Sequence, residues 1–474
     1  MKKDNFFKSC GRAVAGEFKS FGEALVRGDF RTKLSFIIMG AGNFLRGQLV
    51  RGGLFLALEV VFIWYMIFHG AYWLQMLPSL GIVGPTEEYN EFFDQYVVTY
   101  NDNSFKILLY GVLTIFIIVA FVIAWRLNIK NAYESQRIEE SGKHLPKFKD
   151  DVRSLVDEKF YKTLLALPIV GITTFTVLPI FFMILVAFTN YDGAHDGYIT
   201  NLFDWVGWDN FKTMLGIGTD ASTGSYASVF GGMLGWTVVW AFFATFSNYF
   251  LGILVALMIN KKGIKLKKMW RTILVMTIAI PQFISLLYVA KMFDQSGIVN
   301  GFLLNHNIIS EPIPFWTDKT LSRVMVILIN IWVGVPYLVL IATGILMNIP
   351  EEQYESAKID GASPVQQFFH ITMPYMLFIT GPYLLTSFTG NMNNFNVIYL
   401  LTGGGPTNSA ATTASGSAGY TDLLITWLFK ITQGTDASYY MASVLGILVF
   451  VVVAVITLVV YGLLPSNRNE EDMQ

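Results

Sequence analysis

The chain of 474 residues is 53% hydrophobic and only 14% charged, with 33 lysines and arginines against 34 acids. So few ionic groups cannot cover a soluble surface of this size, which excludes a soluble globular class and points to a bilayer. The net charge near zero argues against nucleic acid as a partner, and the single cysteine, Cys10, excludes an internal disulfide.

In chain order, the first 52 residues read as a cytoplasmic tail. They lack a compact apolar core followed by a small-residue cleavage site, so no removable signal peptide is expected. Within this tail, "FKSFGEALVRGDFRTKLSFIIMGAGNFLRGQLVRG" mixes basic and apolar residues; it is either an amphipathic segment along the membrane surface or a solvated tail with a basic end. Eight spans are predicted, at 53-73, 105-125, 164-189, 233-259, 270-291, 323-347, 375-401 and 442-464. Each approaches the roughly 20 residues that an α-helix needs to cross hydrocarbon. The organisation that follows is two spans over 53-125, a cytoplasmic linker over 126-163, a permease-like core over 164-464 and a tail over 465-474.

Orientation comes from lysine and arginine, which are retained on the cytoplasmic side of short loops. The tail carries Arg27, Arg31, Lys33, Arg46 and Arg51, and "KKGIKLKKMWR" before the fifth span is the densest basic stretch. By contrast, the connection before the second span holds Glu87, Glu88, Glu91, Asp94 and Asp102 with no basic residue between Trp73 and Lys106. Both termini are therefore expected in the cytoplasm. The connection at 190-232, with several aspartates against a lone Lys212, is expected outside as a small folded cap. Glu59 lies inside the first span; it is read as pairing with Arg51 or reaching the interface.

No phosphate loop of the GxxxxGK[ST] type occurs, so ATP binding is not expected of this chain. There is no HExxH, and the five histidines are scattered; no catalytic residue, metal site or cofactor is expected. Polar groups do occur in the fifth to seventh spans: Gln282, Ser285, Asn330, Ser387, Asn391, Asn393 and Asn394. Unpaired amides in hydrocarbon are costly, so these side chains need protein partners or a wet cavity. Neutral amides and hydroxyls suit a sugar, with Trp332, Tyr337, Tyr383 and Phe388 available to stack on pyranose faces; alternatively they glue helices together. The absence of buried lysine, arginine or aspartate argues against an ion or amino-acid path.

Between the sixth and seventh spans stands "YESAKIDGASPVQQFFHITMP", Tyr354 to Pro374. Pro350 as a first-turn residue and the acids Glu351 and Glu352 predict a helix start. Gly361 predicts its stop, and Ser363 with Pro364 a second start. Val365, Phe368, Phe369 and Thr372 then share one face, and Pro374 ends the helix before the next span. The product is a rigid two-helix knuckle with a greasy face, suited to docking on a partner, or else a well-capped connection.

This stretch closely resembles the EAA loop of ABC importer permeases: Glu355, Ala357, Asp360, Gly361, Ala362, Phe368, Ile371 and Pro374 stand at the family's positions, with Ser356 for the central alanine. The resemblance implies coupling to an ATPase through Glu355, Ala357, Asp360, Gly361, Phe368 and Phe369. "NIWVGVPYLVLIATGILMNIPEEQYE", "NNFNVIYLLTGGGPTN" and "GYTDLLITW" narrow the likeness to the maltose and maltodextrin (MalF-like) permeases over about residues 160 to 464. The connection at 190-232 is much shorter than in enteric members, suggesting a relative from a single-membrane bacterium. The resemblance implies an all-α polytopic membrane protein, a MetI-like permease bundle with eight transmembrane helices. It also implies import of maltose or maltodextrins by alternating access. The implied partners are a second homologous (MalG-like) permease subunit, a cytoplasmic ATPase dimer, an external sugar-binding protein and the lipid bilayer. Sugar contacts are implied at Asn330, Gly334, Tyr337, Ser387, Asn391 and Asn394, with Gln282 where the family can have serine and Gly390 where it can have phenylalanine. A permease for another oligosaccharide, a secondary transporter or a membrane scaffold remain alternatives.

Overall fold

The computed structural model describes residues 21-99, 101-196, 202-217, 221-261, 263-408, 418-433 and 436-463. They divide into two compact units, Met1–Asn190 with His195–Trp205, and Tyr191–Ala194 with Val206–Gln474.

In the first unit, α1 (Leu49–Met76) is an apolar helix with a π-helical turn at Met66–Gly70. A two-stranded antiparallel hairpin follows, β1 (Thr86–Asn90) against β2 (Gln95–Thr99), the sole sheet among the described residues of a chain expected to be helical throughout. Next comes α2 (Ser104–Glu140), started by Asn103, whose side chain accepts from the Lys106 amide. The predicted end at 125 is overrun because "RLNIKNAYESQRIEE" contains neither glycine nor proline, and its polar groups find partners on the N-terminal segment. The predicted linker is thus largely helical, with α3 (Phe148–Val156) after it. The third span, α4 (Phe160–Val186), packs on α2 through edge-on Phe105–Phe182 and Phe116–Phe181 pairs at 5.2 and 5.4 Å. It therefore groups with the first two spans, not with the core expected to begin at 164.

The N-terminal segment is folded onto α2 through a polar network. Asn128 donates to the Ser35 carbonyl and accepts from the Gly40 amide, and Gln136 accepts from the Asp29 amide and the Thr32 hydroxyl. Arg46, its side chain fully buried, bridges Asp29 at 2.6 Å and Glu139 at 3.1 Å. Glu59 departs from expectation. It accepts from the Met39 amide at 2.8 Å, while Arg51 is taken by Asp151 and Asn131. The main-chain donor lies nearer in depth than the arginine, and it would otherwise be unpaired.

The second unit holds α5 (Ala221–Asn260), α6 (Lys267–Ala279), α7 (Gln282–Met292), α8 (Lys319–Leu346), α9 (Glu351–Ile359), α10 (Met373–Met392), α11 (Phe395–Thr402), α12 (Leu424–Ile431) and α13 (Tyr439–Leu463). Two apolar clusters hold it together. One gathers Trp236, Trp240, Leu286, Val326 and Leu423, and the other Tyr249, Ile253, Val339 and Met376. The predicted fifth span is not straight: α6 and α7 meet at 89° across Ile280 and Pro281. Ile280 is extended, as a residue before proline prefers, and Pro281 has no amide to continue the ladder. Among the described residues seven helices can cross a membrane, or eight if this bent pair counts as one span. The start of α5 at Ala221 lies inside the predicted outer connection, which also contributes the short helix Asp209–Leu215. Residues 409-417 of the glycine-rich stretch after α11 lie outside the described residues. Its base is closed by the Thr407–Gly419 bridge and by Asp422, which accepts from the Gly419 amide and from Lys430 at 2.6 Å.

Asp29 supplies a pH handle on the N-terminal fold. Burial works to raise its carboxyl, but the Thr32 amide and hydroxyl and Arg46 outweigh this and hold it below its ordinary value of 3.8. A depressed acid stabilises the fold above its unfolded value and loses that stabilisation as pH falls through the folded one. Detergent-solubilised Asp29→Asn is therefore expected to melt lower at neutral pH and to lose less on acidification below about pH 4 than the parent, as read by melting curves across pH.

Candidate functional site

The helices α7, α8, α10 and α11 carry the predicted polar positions. Gln282 is the first residue of α7, exposed by the break at Pro281. It lines a cavity of about 340 Å³ together with Ser285, Trp332 and Tyr337. Of the predicted residues, Gln282 and Tyr337 are thus brought together, and the indole of Trp332 joins them. Two larger hollows, about 570 and 560 Å³, lie in the first unit and are lined by charged residues including Arg51 and Asp151. Such linings do not suit a neutral ligand.

Asn330, Gly334 and Tyr337, at spacings of four and three, share one side of α8. Asn330 is buried, and its Nδ2 has no hydrogen-bond partner among the described residues. Gly334 lies against the side chain of Asn248 on α5, so closely that a Cβ would overlap the amide. Helix-to-helix approach, not backbone freedom, is why glycine stands there.

On α10 and α11, Asn391 donates to Thr245 Oγ1 at 3.0 Å and accepts from Asn394 Nδ2 at 3.2 Å. Its carbonyl accepts from Trp240 Nε1 at 3.0 Å. Asn394 also caps α11 through its Oδ1 and the Val397 amide. Ser387 is half-buried, one turn from Tyr383 on α10. Gly390 faces open space, with nothing within 4 Å of where a Cβ would stand. The structure thus assembles Asn391 with Asn394 and Gln282 with Tyr337, and it sets Gly334 against Asn248 of α5, with Asn330 one turn away on α8. Sequence reasoning placed nothing on the fourth span, yet Thr245 and Asn248 are part of this polar set. The signal was available: "FATFSNYF" puts polar residues inside an apolar run.

The knuckle forms as the residue pattern predicts at its corner. Pro350 precedes the helix as its cap, one place earlier than expected. At the other end Gly361 is left-handed, with φ of 77°. The Ala362 amide bonds to the Ala357 carbonyl at 2.8 Å and the Gly361 amide to that of Lys358 at 3.1 Å, which together make a Schellman stop. Ser363 and Gln366 form a reciprocal capping box around Pro364. Glu355 and Asp360 are exposed and Ala357 is half-buried. The predicted shared face divides. Thr372 is buried and bonded to Tyr354 at 2.9 Å, and Phe368 packs on the bundle core, leaving Val365, Phe369 and Ile359 exposed.

Pro374 does not end the helix. The chain runs from Pro364 through a π-helical turn, Phe368–Thr372, straight into α10. Proline cannot donate to the carbonyl four residues back; the wider turn, in which the Met373 amide bonds to the Phe368 carbonyl, absorbs the mismatch. The knuckle and the polar positions of α10 are therefore joined by one helix.

A family model described as "Binding-protein-dependent transport system inner membrane component" matches residues 248-468. The chain is 35% identical to the maltodextrin transport system permease protein MdxF of Bacillus subtilis (strain 168), over 92% of this chain and 96% of that one. It is 33% identical to the galactooligosaccharides transport system permease protein GanP of the same organism, over 92% and 97%. Likeness thus extends well upstream of residue 160, where the resemblance read from motifs began. In fold, it is similar to the crystal structure of a bacterial ABC transporter involved in the import of the acidic polysaccharide alginate, with TM-score 0.52, 23% identity and coverage of 68% of this chain and 99% of that one. With its apolar spans, its Schellman-stopped knuckle and relatives matched over nearly their whole length, the chain belongs to the MalF-like sugar permeases, as a multi-pass membrane subunit of a bacterial ABC importer.

Proposed function

We propose that this permease passes maltodextrins, working with a second homologous permease, a cytoplasmic ATPase dimer and an external sugar-binding protein, with both of its termini in the cytoplasm. The observation that carries the cargo class is the cavity where Gln282 and Ser285 meet the rings of Trp332 and Tyr337. Neutral hydrogen-bonding groups beside aromatic faces fit sugar hydroxyls and the apolar face of a pyranose, and the lining offers no charge to hold an ion. Asn330, Gly334, Ser387, Asn391 and Asn394 extend the path along α8, α10 and the start of α11. The maltodextrin relative supports the sugar; the galactooligosaccharide relative, nearly as similar, supports a second reading in which the oligomer is built from galactose.

Energy enters at the knuckle. Glu355, Ala357, Asp360, Gly361, Phe368 and Phe369 form or brace the surface that docks on the ATPase, with Ile359, Val365 and Phe369 as its exposed apolar contacts. When ATP binding closes the ATPase dimer, the continuous helix from Pro364 to Met392 carries the displacement to Ser387 and Asn391. The sugar path is then opened to one side of the membrane and closed to the other, and hydrolysis resets it.

In the reconstituted complex, maltodextrins are expected to stimulate ATPase activity through the binding protein and galactooligosaccharides to leave it at the basal rate; the reverse pattern would replace the cargo. Gly390→Phe fills open space beside Asn391 and is expected to shift preference toward shorter chains; an unchanged chain-length profile would show that this position does not face the sugar. Gly361→Asp forces a side chain into a left-handed position at about 1 kcal/mol and Glu355→Lys reverses an exposed charge. Each is expected to weaken copurification with the ATPase and to abolish sugar-stimulated hydrolysis, leaving insertion of the chain in the membrane intact.

A further inference from the structure

The N-terminal segment does more than precede the first span. α1 and α2 run antiparallel in a register set by three contacts: Arg51 with Asn131 at 2.7 Å, stacked Phe62 and Phe121 at 3.7 Å, and Tyr65 with Thr114 at 2.8 Å. On α2 the run from Ile107 to Trp125 has no charged residue, and Arg126 begins the charged end. At about 1.5 Å per residue that run covers close to 30 Å, the thickness of bilayer hydrocarbon, so Trp125 marks the boundary.

Residues 36-39 are tied to this depth. The Trp125 indole donates to the Phe36 carbonyl at 3.0 Å, and Phe21, Phe36 and Trp125 form a ring cluster with centroids 5.4 to 6.1 Å apart. The Met39 amide reaches Glu59, which lies between the levels of Arg51 and Phe62 and so close to the depth of Trp125. From this turn the chain climbs back out: Gly40 meets Asn128 and packs against Gly52, where a side chain on either glycine would collide. At the tip, Ile37 is 76% exposed and Ile38 43%. Leu25, Val26 and Phe30 are exposed as well. The Asp29 amide, however, bonds to Gln136, eleven positions beyond Trp125 and so roughly 16 Å farther out.

We propose that residues 35-45 form a re-entrant wedge whose tip, Ile37 and Ile38, is seated in lipid at the hydrocarbon boundary of the leaflet on the N-terminal side of α1. The occupant of this apolar face is the bilayer, because its depth is set by bonds to residues of two spanning helices. Glu59 is the residue that holds the tip in place. A carboxylate near the hydrocarbon boundary is expensive, and here it satisfies the Met39 amide, a buried main-chain donor that would otherwise have no partner. Farther out, the buried Arg46 guanidinium between Asp29 and Glu139 ties the base of the wedge to α2. This reading concerns the first unit and is independent of the cargo.

The test uses the full chain in proteoliposomes, in a Cys10→Ser background, with single cysteines replacing Ile37 and Val26. A polarity-sensitive fluorophore at position 37 is expected to emit as in an apolar medium and to be quenched by lipids carrying a nitroxide just below the headgroup. A charged aqueous thiol reagent is expected to reach position 37 roughly tenfold more slowly than position 26. Glu59→Gln, which keeps an acceptor for Met39, is expected to preserve this pattern, and Glu59→Ala to bring position 37 close to the rate at 26. Equal aqueous rates at 37 and 26 in the otherwise unaltered chain would overturn the proposal. So would protection of position 37 from both lipid and aqueous probes, which would assign the tip to a protein neighbour.

Discussion

Inside hydrocarbon a backbone N–H or carbonyl has no water to turn to, and leaving it unpaired costs several kcal/mol. The helices satisfy most of these groups locally, and the irregular places show where the same demand is met in other ways. Around Pro374 the ladder widens into a π-helical turn and stays continuous. Across Ile280 and Pro281 it breaks, and Gln282 emerges at the break with its side chain on the cavity. At Met39 an amide outside any spanning helix is met by Glu59 from within one.

Side-chain polarity obeys the same rule. Asn391 is held by Thr245 and Asn394, so its amide is prepaid by protein partners and remains oriented. Asn330 on α8 and Asn248 on α5 are buried, and each has an amide atom without a partner among the described residues. Helix glue and solute path are therefore not exclusive readings of these residues. A network that braces α5 against α10 also fixes the groups that a neutral ligand would meet.

Continuity of the helix from Pro364 to Met392 gives the knuckle mechanical meaning. A proline-ended connection would leave the knuckle only loosely joined to the bundle. A helix unbroken through its π turn, anchored by Phe368 in the core and by the Tyr354–Thr372 bond, instead holds the knuckle firmly to the bundle. The Schellman stop at Gly361 sets the corner between α9 and this helix through two main-chain bonds.

Much of the architecture was legible in local pattern. Apolar run length located the spans, and glycine, serine and proline in "IDGASP" located the corner of the knuckle, because cap chemistry is decided by neighbours in sequence. Sequence by itself determined that this is a polytopic helical membrane protein with a capped helix-turn-helix loop before its seventh span and amides in its later spans. What only the tertiary structure decided depends on partners far apart in the chain. Glu59 turned from Arg51 to Met39, and α2 ran on past 125 because the N-terminal segment covers it. Thr245 and Asn248 joined the polar set, and Phe368 turned inward while Phe369 stayed out. Helical spacing places residues on a face, but which neighbour that face meets is settled by packing between distant segments, and no local pattern encodes it.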